Sequence, residues 1–385
     1  MIYLDHAATN RVRRQALEAM WPYLTDEFGN PSSTHELGER AARALADARA
    51  HVASVIGCRS GDVVFTSGGT EADNLAVLGL SLANPRGRHV VVSPIEHEAV
   101  LESAGALARL HGFTVDQVAV DGFGTVHPDA LDAVLRDDTT LVSVQLANNE
   151  IGTIEPIAAL AERAHARSAL LHSDAVQAAG WLPLNLDDLG VDALSLSGHK
   201  FGAPKGTGAL IVRGRLPLEP LIHGGGQERG RRSGTENVAG AVAFATALRL
   251  AEAERVDAAA RLSALSERFI TRVLGEVPTA RLTGHPTDRL PGTLSFVFPG
   301  LNGESLLLEL ERVSVYASSG SACAAGSTEA SHVLTAIGLE AEVAHTAVRL
   351  TAGAETSADE LDAAAAALID AVATIGGYAP GSPQR

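Results

Sequence analysis

The chain has 385 residues, of which 46% are hydrophobic and 4% aromatic, so it can form two domains whose cores consist mainly of Ala, Val and Leu. Its formal net charge of −16 argues against direct binding to nucleic acid or to an anionic membrane surface. The N-terminus lacks a signal-peptide pattern and no apolar run approaches the roughly 20 residues that span a bilayer, so we expect a soluble, cytoplasmic protein.

Short β-branched runs alternate with Ala- and Leu-rich stretches through the first part of the chain. Continuous apolar strands separated by helices are typical of a mostly parallel sheet with helices on both faces. One of these helices is predicted over 35–57, with Ser33 or Thr34 as its N-cap. We therefore predict an α/β fold with a mixed, mostly parallel seven-stranded sheet. Its strands are residues 62–67, 88–94, 113–120, 139–146, 169–174, 192–197 and 208–214.

The C-terminal part of the chain has a different pattern. A long helix is predicted from residue 237 to about residue 275, and a smaller α+β pattern follows it. This pattern predicts a second, smaller domain. Its elements are strands at 293–298, 314–320 and 348–351, a helix that begins near residue 303, and an alanine-rich C-terminal helix.

The two lysines of the chain, Lys200 and Lys205, both lie in the stretch SGHKFGAPKG at residues 197–206. Arginine stays protonated, whereas a buried lysine can lose its proton and attack a carbonyl group. Lys200 follows a predicted strand, where ligands of open α/β sheets bind, so it is a candidate for imine chemistry. Lys205 is better suited to a surface position. Two flanking residues could donate hydrogen bonds to a phosphate: Ser197 and His199.

The stretch FTSGGTEADN is predicted to run from a strand through a turn of small residues into a helix. Gly68 and Gly69 would let the backbone approach an anion, and the first amides of the helix could hold a phosphate. Thr70 would add a hydroxyl donor. The same pattern also fits a simple tight turn between a strand and a helix.

Asp174 ends the predicted strand 169–174 in the stretch LLHSDAVQAAG. A carboxylate at this position could bond a pyridinium nitrogen and keep it protonated, which makes a cofactor ring an electron sink. Gln177 lies one turn later and could reach the phenolic oxygen of that ring. Asp174 could equally be a helix N-cap, so the residue by itself leaves both roles open.

The two cysteines, Cys58 and Cys323, make no disulfide framework. Cys58 follows an apolar helix end, which is typical of a small buried hydrophobe. Cys323 lies in ASSGSACAAGSTEASH, among small residues that indicate a loop. A reactive thiol on such a loop could move between a substrate and an external acceptor.

Together these stretches resemble the cysteine desulfurases of the IscS/NifS type, within the class V aminotransferase group of pyridoxal-phosphate enzymes. The resemblance covers nearly the whole chain and implies a large domain of residues 16–254 that binds pyridoxal 5′-phosphate. It also implies a small α+β domain of residues 1–15 and 255–385 with the catalytic cysteine loop. The motifs in family order are FTSGGTEADN, EHEAVL, NNEIG, HSDAVQ, SGHKFGAPKG, GGGQERGRRSGTENV and SSGSAC.

The resemblance implies that the protein converts L-cysteine to L-alanine. Lys200 would form the covalent imine with the cofactor and then remove the substrate α-proton. The Cys323 thiolate would take the sulfur as a persulfide, and His97 would stack on the cofactor ring and transfer protons. Either His97 or the substrate amine could deprotonate Cys323.

The same resemblance implies the binding residues of the site. Asp174 would pair with the pyridinium nitrogen and Gln177 with the phenolic oxygen, while Asn30 and Arg349 would hold the substrate α-carboxylate. Thr235 would come from the second subunit of a homodimer. The cofactor-binding residues in full are Gly69, Thr70, His97, Asn149, Asp174, Gln177, Ser197, His199, Lys200 and Thr235.

Some features depart from the family pattern. Asn10 stands where a second threonine is common, and we expect it to touch no cofactor-binding residue. The segment after Arg349 is short, whereas relatives that bind the iron–sulfur scaffold use a C-terminal extension. The sulfur acceptor therefore stays open: we expect an iron–sulfur scaffold or a tRNA thiolase ahead of a partner in DNA phosphorothioation.

Three other function classes fit the sequence less well. A selenocysteine lyase or another class V aminotransferase-type enzyme would share the fold, but Cys323 argues against a transaminase. A metallohydrolase needs clustered ligands, and the 14 histidines show no spacing such as H-x-x-x-H, so no metal site is predicted. A binding protein without catalysis would not need Lys200, Asp174, His97 and Cys323 together.

Overall fold

The computed structural model describes residues 1–84, 86–320 and 330–377. Its strands are β1 Ile2–Tyr3, β2 Val63–Thr66, β3 His89–Val92, β4 Thr114–Gln117, β5 Thr139–Ser143, β6 Leu170–Asp174, β7 Ala193–Ser197, β8 Gly208–Val212, β9 Arg281–Leu282, β10 Thr293–Val297, β11 Val315–Tyr316 and β12 Ala347–Thr351. Its helices are α1 Arg14–Met20, α2 Glu36–Ile56, α3 Gly69–Ala83, α4 Glu98–His111, α5 Pro128–Val134, α6 Ile157–Ala166, α7 Leu186–Leu189, α8 Val238–Glu276, α9 Gly303–Arg312, α10 His332–Ala336, α11 Ala341–Ala344 and α12 Ala358–Gly376.

The large sheet has seven strands in the order β2-β8-β7-β6-β5-β3-β4. Strands β3 to β7 pair in parallel, while β8 runs antiparallel to β7 and to β2. All residues of β3, β5, β7 and β8 are buried, as expected for strands that are covered on both faces. The predicted α/β fold with a mixed, mostly parallel sheet is confirmed.

Residues near both ends of the chain form a second group of strands. Strands β12, β10 and β9 make an antiparallel sheet, and β1 pairs in parallel with β11. The chain therefore brings its first residues to the C-terminal part, where Asp5 also bridges to Thr351. Helix α9 contacts β12, and α12 packs against α9 and α8. The pairing of β1 was not predicted, because a two-residue strand has no periodicity of its own.

Helix α8 connects the two hydrophobic cores. Its first half buries Phe244 and Leu248 in the core of the large sheet, and its second half buries Leu262, Phe269 and Val273 against the smaller sheet. Its 39 residues confirm the long helix predicted from residue 237. Within the described ranges, no helix combines the length and apolarity needed to cross a membrane.

The predicted N-cap of α2 is wrong. The cap is His35, whose Nδ1 accepts a hydrogen bond from the Gly38 amide at 3.3 Å. Ser33 instead forms a turn in which its own amide donates to the Asn30 carbonyl at 2.9 Å. A Cβ on Gly38 would lie 2.2 Å from the Ser33 carbonyl oxygen, so this close approach of the loop fixes where the helix begins.

Candidate active site

Four of the predicted site residues follow strands at one edge of the large sheet. Asp174 is the last residue of β6, and Lys200 lies in the one-turn 3-10 helix directly after β7. His97 is the N-cap of α4, the helix after β3, and Asn149 follows β5. Since the carboxyl ends of parallel strands share an edge, the sheet itself brings these distant parts of the sequence to one edge.

Lys200 and Gln177 both contact the N-terminal segment, residues Asp5–Asn10. The half-buried Lys200 amine donates to the Ala7 and Ala8 carbonyls, the second at 3.0 Å. Gln177 Nε2 donates to the same Ala7 carbonyl at 3.0 Å. The N-terminal segment therefore lies directly against the lysine expected to form the imine.

Asp174 is 6% exposed, and its Oδ1 accepts a hydrogen bond from the Val176 amide at 2.8 Å. Burial raises the pKa of Asp174, while the nearby His97 and Lys200 oppose that shift. The buried carboxyl of Glu96 lies close enough for Asp174 to add to the rise that burial causes in the pKa of Glu96. A cation beside Asp174 would restore its ionised form, so this carboxyl fits a protonated ring nitrogen.

A buried polar network lies behind Asp174. The imidazole of His172 bonds through Nδ1 to Ser143 Oγ and through Nε2 to Ser195 Oγ, both at 2.9 Å. Burial lowers the pKa of His172 to about 3, so its ring is neutral. Asp73 lies 3.8 Å from that ring, and burial followed by the charge of Asp174 raises the pKa of Asp73 well above its usual range. Sequence reasoning did not connect these residues with Asp174; a histidine two residues earlier on the same face of β6 was the available signal.

His97 has a fixed ring orientation. Its Nδ1 accepts a hydrogen bond from the Ala99 amide at 3.1 Å. A neutral His97 therefore carries its proton on Nε2. This arrangement caps α4 and also defines which ring nitrogen can exchange a proton with a ligand.

The start of α3 is shaped by Gly69. A Cβ at this position would lie 2.8 Å from Val176 Cγ2 and 3.2 Å from Ser197 Cβ. The preceding Gly68 gives the helix no side-chain cap, and Thr70 is exposed in its first turn. The first amides of the helix are therefore available to an anion.

His199 contacts the N-terminal segment and is close enough to both lysines to feel their charges. Its Nδ1 is 3.2 Å from Thr9 Oγ1. Burial, followed by the charges of Lys200 and Lys205, lowers the pKa of His199 to about 4. Near neutral pH the ring is therefore neutral and offers a phosphate a single N–H group.

Arg349 is 1% exposed and is held by two protein groups. Its Nη2 donates to Asp5 Oδ1 at 2.8 Å, and its Nη1 donates to the Asn149 carbonyl at 3.0 Å. Its buried Nε has no hydrogen-bond partner among the described residues. A substrate carboxylate would have to displace Asp5 or share the guanidinium with it.

Two predicted binding residues lie on exposed loops. Asn30 Oδ1 accepts a hydrogen bond from the Ser32 amide at 2.9 Å in the loop before α2. Thr235 lines a cavity of about 250 Å³ together with Thr66 and Ser67 of its own chain, next to the turn into α3. The roles of Asn30 and Thr235 in binding stay predictions.

Cys323 lies outside the described residues, so its predicted role is not tested by the structure. On one side of it, the Ser318 amide donates to the Arg349 carbonyl at 3.0 Å. On the other side, Ser331 Oγ donates to Glu150 at 2.6 Å. The other cysteine, Cys58, is half-buried, and burial raises the pKa of its thiol to about 12, in keeping with its expected structural role.

The expectation that Asn10 touches no cofactor-binding residue is wrong. Asn10 Nδ2 donates to the Lys200 carbonyl at 2.6 Å, and the Asn10 amide donates to the His199 carbonyl at 3.0 Å. Asn10 and Lys200 are 190 positions apart in the sequence, so no local sequence pattern could reveal these contacts.

Comparisons with known proteins agree on one family. The aminotransferase class-V family matches residues 2–363. A cysteine desulfurase IscS from Methanosarcina thermophila is 44% identical over 385 residues, covering 100% of this chain and 95% of the relative. Another from Dictyoglomus turgidum is 45% identical over 362 residues, covering 94% and 92%. The solved structure of a NifS-like protein is 35% identical with a TM-score of 0.90, covering 97% of this chain and 99% of that chain.

Proposed function

Since the chain belongs to the class V aminotransferase family and is a cysteine desulfurase, we propose that it binds pyridoxal phosphate at the carboxyl edge of its large sheet. It uses this cofactor to convert L-cysteine to L-alanine, and it passes the sulfur to an acceptor protein. The observation that carries the proposal is the pair of side chains at neighbouring strand ends: buried Asp174 after β6 and Lys200 after β7.

The hydrogen-bonding groups at this edge of the sheet fit pyridoxal phosphate. The close backbone approach at Gly69 and the first amides of α3, which have no side-chain cap, suit its phosphate. Ser197 and His199 would donate further hydrogen bonds to that phosphate. Asp174 would accept a hydrogen bond from a protonated ring nitrogen, because a cation offsets the free-energy cost of burying the carboxylate. When bound, the cofactor withdraws electrons from the substrate α-carbon and so weakens the bonds to hydrogen and, one carbon away, to sulfur.

Further residues orient the bound groups. Gln177 would donate through Nε2 to the phenolic oxygen, in exchange for its present contact with the Ala7 carbonyl. His97 would stack on the ring and would transfer protons through Nε2, because its Nδ1 accepts from the Ala99 amide. The remaining proposed contacts are Thr70, Asn149 and, from a second subunit, Thr235.

Lys200 and Cys323 perform the proton and sulfur transfers. Lys200 Nζ would hold the cofactor through its aldehyde between turnovers, and it would take the α-proton of the substrate during turnover. The Sγ thiolate of Cys323 attacks the substrate sulfur, so that one S–S bond forms as the C–S bond breaks. The products are L-alanine and a Cys323 persulfide. Atoms and electrons balance without an external reductant, which is needed only when the acceptor releases the sulfur as sulfide.

The substrate carboxylate binds at Arg349. Its Nη atoms are already held in one orientation by Asp5 and the Asn149 carbonyl, so the guanidinium is preorganised for bidentate contact. Asn30 adds a hydrogen bond from its loop. Substrate binding replaces the Asp5 contact with a carboxylate of equal charge, which keeps the buried cation neutralised.

A homodimer is proposed on the basis of an apolar surface near the N-terminus. Four side chains within residues 14–28 are large, apolar and at least 47% exposed: Leu17, Trp21, Leu24 and Phe28. A cluster of this kind marks an interface more often than a free surface. We propose that each subunit contains a large domain of residues 16–254 and a small domain of residues 1–15 and 255–385.

The proposed acceptor is a protein of iron–sulfur cluster assembly or of tRNA thiolation. A net charge of −16 disfavours direct contact with a nucleic acid, so any sulfur destined for RNA passes through a carrier enzyme. The proposed location is the cytoplasm, because reducing conditions keep the Cys323 thiol free between turnovers.

The two lysines give a matched test of the proposal. Lys200→Ala should lower the rate of L-alanine formation from L-cysteine by at least about 1000-fold, since both the amine that binds the cofactor and the base are lost. Lys205→Ala should keep the rate within about twofold. In the wild type, borohydride reduction followed by peptide mapping should fix the cofactor on Lys200. A Lys200→Ala protein that forms alanine at the wild-type rate would refute the proposal.

A further inference from the structure

The side chain of Asn10 is fully occupied by protein contacts. Its Nδ2 donates to the Lys200 carbonyl at 2.6 Å and to the His6 carbonyl at 3.2 Å. Its Oδ1 lies 2.5 Å from His6 Nδ1. Both donors and the acceptor of the amide are used, so the group has one orientation.

The contact with Lys200 satisfies a carbonyl at the end of a helical turn. Lys200 is the last residue of the one-turn helix Gly198–Lys200, whose closing bond runs from the Phe201 amide to the Gly198 carbonyl at 3.2 Å. A turn this short leaves its last carbonyls free. Asn10 binds the Lys200 carbonyl from the side and thereby fixes the backbone that carries the amine.

The amine of Lys200 reaches back to the same N-terminal segment. Its Nζ donates to the Ala7 and Ala8 carbonyls, while its own carbonyl accepts from Asn10. Both ends of the lysine residue are therefore set by one run of six residues, Asp5–Asn10. A shift of this segment would move the backbone and the amine together.

The opposite side of Asn10 is held rigidly through His6. A Cβ on Gly353 would lie 2.4 Å from His6 Cε1, so the ring packs directly on the backbone after β12. Burial lowers the pKa of His6, and the neutral ring donates from Nδ1 to Asn10 Oδ1. The Ala7 amide also donates to Thr351 Oγ1 at 2.8 Å. The segment is thus fixed to β12, the strand that contains Arg349.

We propose that Asn10 is a positioning residue for Lys200: it fixes the lysine relative to β12, and so sets the distance between the reacting amine and the guanidinium of Arg349. This inference rests on the proposed function for its catalytic consequence. A threonine, which has a single hydroxyl, could serve either the Lys200 carbonyl or His6 but could not bridge them as the amide does.

The first measurement is the chemical reactivity of the two lysines in the full-length protein without cofactor. After limited acylation with acetic anhydride, peptide mapping gives the ratio of modification at Lys200 to that at Lys205. Asn10→Ala should raise this ratio about fivefold, because loss of a hydrogen bond frees the backbone and the amine it carries. The control is Asn84→Ala, which removes a side chain that also donates to two carbonyls, at 2.8 and 3.1 Å, but at the end of α3. It should leave the ratio unchanged.

The second measurement is kinetic and uses the holoenzyme. Asn10→Ala should lower kcat for L-alanine formation by about 10- to 100-fold while KM for L-cysteine changes less than about threefold, since a misplaced amine affects the reaction more than binding. Asn10→Thr should recover part of kcat. If Asn10→Ala does not fold, Asn10→Thr is compared with the wild type in both measurements.

The outcomes separate this inference from the proposed function. An unchanged acylation ratio in the Asn10 variants, or an unchanged kcat, would overturn the positioning role. If the wild-type protein forms no alanine but Asn10→Ala raises the acylation ratio, the proposed function is refuted. The conclusion that Asn10 positions Lys200 would then still stand.

Discussion

Asp174, which is proposed to bind the cofactor ring, lies close to two other buried carboxyl groups. Asp174, Asp73 and Glu96 are each at most 6% exposed, and each has a raised pKa because burial penalises its charged form. Their charges also oppose one another, so the group cannot ionise fully. A single cation placed at Asp174 would select that residue as the ionised one. The neutral His172 network keeps the neighbouring side chains in place without adding a charge.

Glu155 allows the effect of a buried carboxyl group on the free energy of unfolding to be measured separately from catalysis. It is 3% exposed, one oxygen accepts from the Val126 amide at 2.8 Å, and burial raises its pKa to about 8. The folded state therefore binds a proton that the unfolded state releases above about pH 4.3. The stability that this proton gives is complete below that pH and is lost as the pH rises towards 8.

Glu155→Gln should remove this pH dependence. Relative to the wild type, its free energy of unfolding should rise between pH 5 and pH 8 by up to about 1.4 kcal/mol per pH unit. Urea unfolding at several pH values measures the difference. The exposed Glu18 provides the control, since Glu18→Gln should give a constant offset. Parallel curves for Glu155→Gln and the wild type would show that Glu155 ionises normally.

Gly69 at the start of α3 determines whether an anion can approach this helix. The strand before Gly69 and the helix after it follow from ordinary apolar patterns. The turn between them requires a residue without a Cβ, because Val176 and Ser197 pack directly against Gly69. The proposed phosphate site therefore depends on how β2, β6 and β7 end together.

Gly69→Ala should weaken cofactor binding more than it weakens the fold. The added methyl would lie 2.8 Å from Val176, and moving that contact should cost about 1 to 3 kcal/mol and displace the first amides of α3. We expect at least a tenfold rise in the Kd for pyridoxal phosphate, measured by absorbance titration. Gly61→Ala, where nothing lies within 4 Å, should keep the wild-type Kd. Equal Kd values for the two variants would argue against a phosphate at α3.

The strands of the large sheet were predictable because most of them lie in short runs rich in apolar and β-branched residues. The seven predicted strands begin within about one residue of those observed. Several of them end earlier than predicted, because the residues that follow β3, β4 and β5 already belong to loops. The pairing of β1 with β11 and the contact of Asn10 with Lys200 join opposite ends of the sequence. Such contacts depend on tertiary packing, which the sequence pattern does not encode locally.

At the scale of the whole molecule, the two ends of the chain converge on one site. The N-terminal segment contacts Lys200 after β7 of the large sheet and Arg349 in β12 of the smaller sheet. A reaction that needs an amine from one sheet and a carboxylate-binding cation from the other therefore depends on how the first residues are held. The apolar surface of residues 14–28 begins shortly after this segment, so the proposed subunit association would stabilise the same region.

The proposed homodimer can be tested through that surface. Trp21 and Phe28 are 65% and 67% exposed, and in a dimer each would be buried against the second subunit. The double variant Trp21→Glu with Phe28→Glu should shift the protein to monomers at micromolar concentration, as measured by sedimentation equilibrium. Leu110→Glu changes an equally exposed apolar residue, at 74%, on α4 and should leave the dimer intact. If Thr235 of the second subunit contributes to the phosphate site, the monomeric variant should also bind pyridoxal phosphate at least about tenfold more weakly. A dimer that survives the double substitution would place the interface on another surface of the subunit.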